Sequence, residues 1–133
     1  MADSTSYEIP GFKFSLEAGA DLSAGQYHFV KLDANGLAVL CSGVTDKPVG
    51  VLQNDPGLGE EAEIMATGIT KMSADSAVAI ADEIGTSADG QADTIVSGVD
   101  TTVRMVGQAL QAAGAAGVLF ACLIDCLAPS RAA

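Results

Sequence analysis

Asp33-Ala-Asn-Gly-Leu-Ala38 is a turn sequence that recurs later in the chain as Ser87-Ala-Asp-Gly-Gln-Ala92. Each copy is followed by Ser-Gly-Val, a strand-like run that begins with Val-Gly, a Gly-rich turn and a last apolar run, so that residues 33–66 match residues 87–122. Because Asn and Gly accept positive φ, each turn predicts a tight hairpin. The repeated residues belong to turns and strands, which favours a structural protein over a catalyst. The alternative is a chance match within a chain rich in Ala, Gly and Val.

Strand patterns extend outward from these turns. Residues 12–18 alternate apolar and polar side chains, which is typical of a strand with one buried face. Residues 26–32 are rich in aromatic and β-branched side chains. Further strand-like runs between Gly, Pro and Asn turns are residues 37–41, 49–53, 61–70, 103–109 and 118–124. Many short strands without helices between them predict a mainly β fold, a small β-barrel or tulip-like roll.

The chain divides into three predicted segments. Residues 1–11 are polar and end in Pro-Gly, which predicts a flexible, extended N-terminal arm. Residues 12–127 form a single β-rich domain, and residues 128–133 a loose tail. One short helix is expected at residues 73–84, where Ala77, Ile80, Ala81 and Ile84 share a stripe and Ser73 or Asp75 is a candidate cap.

Composition limits the classes of function. Of the residues, 49% are hydrophobic but only 5% aromatic, and Trp is absent, so the core consists largely of small side chains. Each buried CH₂ contributes only about 0.8 kcal/mol, and assembly of several copies would bury more surface. The net charge of −11 repels nucleic acid, whose binding depends on clustered Lys and Arg. We therefore expect no nucleic-acid partner.

Cysteine usage and hydropathy predict neither a metal site nor a membrane segment. Cys41, Cys122 and Cys126 form no CxxC pair and lack a further ligand for zinc, so we expect small buried residues. The polar N-terminus lacks the apolar stretch of a signal peptide, which predicts synthesis in a reducing cytoplasm. Residues 109–124 are apolar but shorter than the roughly 20 residues of a spanning helix.

No catalytic or cofactor-binding constellation is recognisable in the sequence. His28, the only histidine, lies in a predicted strand with no identifiable nucleophile as its partner. Asp33 begins a sequence like a calcium loop, but Val44 stands where the bidentate Glu belongs. The sequence Thr70-Lys-Met72 is a fragment of the lysine motif of biotinyl and lipoyl carrier domains, without its usual lead. We expect no catalytic residue, no cofactor and no metal.

The order of motifs resembles that of the small capsid decoration, or cement, proteins of tailed bacteriophages. It covers roughly residues 11–125, and the motifs are Leu22-Ser-Ala-Gly-Gln-Tyr27, Val49-Gly-Val-Leu52, Gly59-Glu-Glu-Ala62, Ala66-Thr-Gly68 and the closing run from Val106 to Phe120. The family often places a Gly-Asp pair before the second copy, where this chain has Ala81-Asp-Glu83. The cysteine-rich end and the tail at Pro129 also depart from the family pattern.

The resemblance implies a head-stabilising virion protein. It implies homotrimers on the outer surface of an icosahedral head, where they bridge neighbouring major capsid protein subunits against the pressure of packaged DNA. An extended arm can add a strand to a neighbour's sheet edge. We therefore expect capsid contact at Tyr7, Glu8, Ile9, Pro10, Gly11, Phe12, Lys13 and Phe14. The alternatives are a host- or glycan-binding module displayed on the particle and a biotinyl or lipoyl carrier domain with Lys71 as its modified residue.

Overall fold

The computed structural model describes residues 6–131, which form strands, turns and irregular segments. The predicted mainly β fold is confirmed. Thirteen strands lie in the described chain: β1 (Ile9–Pro10), β2 (Lys13–Glu17), β3 (Phe29–Leu32), β4 (Ala38–Leu40), β5 (Gly50–Leu52), β6 (Glu61–Met65), β7 (Thr67–Ser73), β8 (Glu83–Thr86), β9 (Ala92–Thr94), β10 (Arg104–Met105), β11 (Gly107–Ala109), β12 (Leu119–Asp125) and β13 (Ser130–Arg131).

Two sets of five strands have the same order. The first sheet runs β2-β6-β5-β3-β4, and the second runs β7-β12-β11-β8-β9 with β1 added at its β7 edge. All these neighbours are antiparallel. We call residues 13–66 the N-terminal half and residues 67–125 the C-terminal half. Each set of five strands curls until its two outermost strands meet. A parallel bridge from Ala18 to Ala38 joins β2 to β4, and one from Ala74 to Ala92 joins β7 to β9.

The two repeated turns have the same hydrogen bonds. Gly36 and Gly90 both have a φ of 78°, a conformation that only Gly adopts freely. Asp33 Oδ1 accepts the backbone amides of residues 35 and 37 at 2.8 and 2.9 Å. Ser87 Oγ accepts the amides of residues 89 and 91, both at 3.1 Å. Each turn therefore joins equivalent strands, β3 to β4 and β8 to β9.

The predicted helix at residues 73–84 is wrong. The Val78 amide donates to the Ala113 carbonyl at 2.8 Å, and the Ala113 amide donates back at 2.9 Å. Ala81 has a φ of 73°, and its amide donates to the Ala109 carbonyl at 2.8 Å. In the N-terminal half, Tyr27 has a φ of 65° and donates to the Leu52 carbonyl at 2.7 Å. The segment is thus the counterpart of the loop before β3, and long-range partners replace helical hydrogen bonds.

Short strands also occur near both chain ends. Ile9 and Pro10 pair with Ile69 and Gly68, although these residues belong to the predicted arm. Ser130 pairs with Met105 inside the predicted tail. Residues 1–5 of the arm and 132–133 of the tail lie outside the described residues. None of the described segments is a helix long and apolar enough to cross a membrane, and residues 109–124 instead supply most of β12.

Two clusters of buried side chains form the core. One lies inside the N-terminal half and contains Ala18, Leu22, Val30, Ala38, Leu52, Ala62 and Ile64. The second contains the side chains at equivalent positions in the C-terminal half: Ala74, Val78, Ile84, Ala92, Ala109, Phe120 and Cys122. Phe29, Val51 and Met65 of the N-terminal half are also part of the second cluster. The outside of the first sheet therefore packs against the inside of the second.

Candidate interaction surfaces

The residues predicted to contact the capsid lie along one edge of the molecule. β1 and β2 are separated by two residues and run beside the consecutive strands β7 and β6. The Gly11 amide donates to the Thr67 carbonyl at 3.1 Å, and the Phe12 amide donates to Thr67 Oγ1 at 3.0 Å. The structure thus brings the described arm and β2 together as one extended strip, which we call the arm strip (residues 7–14).

Three large apolar side chains of the arm strip are exposed, as others are elsewhere in the chain. Tyr7, Ile9 and Phe12 are 43, 60 and 53% exposed, and the Phe12 ring stacks on that of Phe14 with centroids 5.9 Å apart. Phe14 itself is half-buried against the N-terminal core. Exposed apolar groups that lie close together mark contact surfaces more often than isolated ones do. The arm strip therefore has the character of a protein-contact surface.

A second candidate surface lies on the C-terminal half, and sequence analysis did not find it. It is an open groove of about 400 Å³ lined by Glu83, Met105, Val106, Gly107, Gln108, Leu123, Ile124, Asp125, Ala128 and Ser130. Two of these residues are acidic and none is basic. The groove lies across β8, β11 and β12, whose positions follow from sheet pairing between distant segments. Local sequence patterns carry no such signal.

Each residue that the sequence offered for catalysis, cofactor attachment or calcium binding contacts neighbouring groups of the fold. His28 is half-buried, with Nδ1 3.1 Å from the Gln26 carbonyl. Lys71 lies within β7, half-buried, with Nζ 5.8 Å from the ring centroid of Tyr27. Asp33 Oδ1 is occupied by backbone amides. Among residues 6–131, no group of three His, Cys, Asp or Glu side chains could hold a metal ion. None of these positions favours the carrier-domain alternative or a calcium loop.

The three cysteines are free thiols in the larger core cluster, as the sequence predicts. Burial raises the pKa of each, Cys41, Cys122 and Cys126, from 9.0 to about 12. A thiolate in this apolar setting would lose its hydration, and at Cys41 the attraction of the Lys31 charge is too small to offset that loss. The thiols are therefore inert packing groups and not nucleophiles.

We predict that these thiols resist labelling in the native protein. A rise of about three units in pKa lowers the thiolate fraction at neutral pH about a thousandfold. In urea, an aromatic disulfide reagent should label all three thiols rapidly. In the absence of urea, it should label none of them at a comparable rate. Rapid native labelling would contradict the buried assignment. Since the folded pKa is the raised one, the thiols' contribution to stability is complete below pH 9 and is lost as pH rises towards 12.

Comparison with known proteins bears on the fold. No protein-family model matches the chain, and no curated protein sequence matches it. Among solved structures, it is similar to the crystal structure of the head fiber gp8.5 N base in bacteriophage phi29. The TM-score is 0.64 at 18% sequence identity, over 86% of this chain and 94% of that chain. The two chains share a fold.

Proposed function

We propose that this chain is a non-enzymatic structural protein of a tailed-phage virion that binds the outside of the head. The similarity to the N base of a head fiber carries the proposal, since it extends over nearly all of both chains. The order of sequence motifs, which resembles that of capsid decoration proteins, is independent support. Both comparisons lead to proteins of the phage head.

Within this proposal, the protein acts as a capsid cement protein. Homotrimers bind neighbouring major capsid protein subunits and hold them together against the internal pressure of DNA. Residues 12–127 form the head-bound domain, and residues 1–11 form the arm that reaches the capsid. The net charge of −11 supports a position away from the packaged DNA.

The arm strip supports the choice of capsid-binding surface. Its backbone follows one edge of the molecule, where unpaired amide and carbonyl groups can add a strand to a neighbouring sheet. Ile9 and Phe12 add apolar area that a partner can bury. A main-chain contact of this kind requires little sequence specificity, so a partner with an exposed strand edge suffices.

The test uses heads purified from a deletion mutant of the phage that encodes the chain. Added protein should cosediment with these heads up to a fixed saturating number of copies. Heads loaded with it should then retain their DNA to a higher temperature than unloaded heads. Binding without a thermal shift would reject the cement role, and no binding would reject the head-bound function. Saturable binding to host cells instead would favour the glycan-binding alternative.

The arm strip provides a point mutation for the same assay. Phe12→Glu should weaken binding to heads at least tenfold, because it places a charge in the buried contact, and tenfold corresponds to about 1.4 kcal/mol. Val99→Glu is the matched control, since Val99 is 74% exposed in a turn outside the arm strip. Equal affinities for the two variants would exclude the arm strip as the capsid contact.

A further inference from the structure

The inner faces of the two halves differ in how well they are covered. We define the inner face as the sheet face towards each half's own cluster, and the outer face as the opposite one. In the C-terminal half, Thr70, Met72 and Thr86 on the inner face are at most 1% exposed. Register places Phe14, Leu16 and Leu32 at the equivalent positions of the N-terminal half. These apolar side chains are the more exposed set, with Leu32 at 47%.

The C-terminal inner face is covered by the N-terminal outer face. Gln53 Nε2 donates to Thr70 Oγ1 at 2.9 Å, and the Cys41 thiol is hydrogen-bonded to the side chain of Thr86. The Phe29 amide donates to the carbonyl of Gly90, in the second repeated turn, at 2.6 Å. Phe29, Val51 and Met65 supply the apolar contact. One half therefore docks its outer face on the inner face of the next.

Most of the N-terminal inner face is already buried within its own curled sheet, but no described segment covers Phe14, Leu16 and Leu32 in this way. We propose that a second copy of the chain does so, by docking the outer face of its C-terminal half there. The contact repeats between copies the arrangement that already joins the two halves. It specifies the faces through which the homo-oligomer forms, and it rests on the proposed function only for the number of copies.

The outer face of the C-terminal half is suited to this docking. Register places Glu83, Gln108 and Leu123 where the N-terminal half has Phe29, Val51 and Met65. These three residues line the groove described above, and Leu123 is 44% exposed. The face is more polar than its counterpart, as expected of a surface that is also exposed to water before assembly.

Near Leu32 the charges at the two faces are complementary, whereas the depression beside Leu16 is lined by the acidic Glu17 and Glu61. Lys31 and Lys47 line the same surface depression as Leu32 and Val49, at the rim of the N-terminal inner face. Lys31 is paired with Asp46 at 2.9 Å. Glu83 and Asp125 line the groove on the C-terminal outer face. Docking of one face on the other brings Lys47 towards these acids, which favours this partner and steers its approach.

The proposed contact is head-to-tail, because the two faces are different surfaces. Such a contact closes into a ring when a whole number of copy-to-copy rotations adds up to 360°. Otherwise the assembly grows into a filament. A ring of three copies would contain six equivalent halves. Every inner face would then be covered.

The test pairs two variants that each disable one face. Leu32→Glu damages the inner face of the N-terminal half and leaves the groove intact, while Leu123→Glu damages the groove side and leaves the inner face intact. Both side chains are partly exposed, so each variant should fold, which circular dichroism and thermal melting will verify. Leu58→Glu, at a 70% exposed turn position, is the matched control. Light scattering after size-exclusion chromatography gives the mass.

We expect the wild type and Leu58→Glu to be oligomeric and each face variant to have the mass of one chain, 13.3 kDa. An equimolar mixture of the two face variants should form a one-to-one dimer and nothing larger, because one intact pair of faces remains. A monomeric wild type, face variants that keep the wild-type mass, or a mixture that stays monomeric would each overturn the proposal. Binding of the wild type to heads, whatever its mass, tests the proposed function separately.

Discussion

Gly50→Ala is expected to lower the free energy of unfolding by about 3 kcal/mol, at the upper end for overpacking in a filled core. Gly50 is buried in β5, and a Cβ there would lie 2.5 Å from the Met65 carbonyl oxygen and still closer to Ile64 Cγ2. Neither neighbour can withdraw, since both belong to the adjacent strand β6. Urea denaturation followed by circular dichroism measures the effect.

Two further glycine substitutions serve as comparisons for Gly50→Ala. Gly107 holds the equivalent place in β11, where a Cβ would lie 2.8 Å from the Leu123 carbonyl oxygen, so Gly107→Ala should also destabilise. Gly114 has nothing within 4 Å and a φ outside the positive range, so Gly114→Ala should leave the midpoint unchanged or raise it slightly. If Gly50→Ala unfolded at the same urea concentration as Gly114→Ala, the close approach of β5 and β6 would be wrong.

Phe120→Ala is the second large effect that we expect, a loss of about 4 kcal/mol. Phe120 is fully buried in β12, and with Phe29 it is one of the two aromatic side chains of the larger core cluster. Its removal leaves a cavity in the larger core cluster, and the loss depends on how far neighbours such as Met72, its partner on β7, relax into the space. Cooperative urea denaturation of the variant gives the value.

A surface substitution in the same region is the control. Leu127 is 65% exposed just after β12, so Leu127→Ala should change stability by less than about 0.5 kcal/mol. A similar small loss for Phe120→Ala would show that the two halves do not pack around this ring. Loss of cooperativity in Phe120→Ala alone would indicate that the ring joins the halves into one folding unit.

The strands and turns were predictable because their signals are local. Asn or Asp followed by Gly at residues 35–36 and 89–90 requires positive φ, and the structure has it at both. Alternation in residues 12–18 similarly indicated β2. The sequence matches at 33–66 and 87–122 coincide with parts of the two halves, whose shared strand order extends beyond them.

The helix prediction failed because its evidence was a pattern, whereas the competing interactions are distant in sequence. The spacing of Ala77, Ile80, Ala81 and Ile84 fits a helical stripe, but the Val78 and Ala81 amides donate to residues more than 25 positions away. The equivalent segment of the N-terminal half contains Gly19 and Gly25, and glycines of this kind favour a turn over a helix. Alignment of the two halves by their turns would have shown that both segments are the same loop.

The candidate surfaces differ in what the sequence indicates about them. Residues 7–14 lie together on one edge, and their contact with a capsid stays a prediction. The sequence does not indicate the groove or the exposed positions of the N-terminal inner face. Their exposure depends on how the two halves pack, and the N-terminal half covers only the inner face of the C-terminal half. A comparison of equivalent positions contains a hint: Phe14 and Leu32 stand where the covered half has Thr70 and Thr86.

Image reconstruction of purified heads tests the central claim most directly. Heads from the wild-type phage and from a mutant that lacks this chain should be compared at a resolution that separates strands. We predict density for two curled five-stranded halves at regular positions on the outer surface of the wild-type head, and no such density on the mutant. Identical heads, or this density inside the shell or away from the head, would contradict the account.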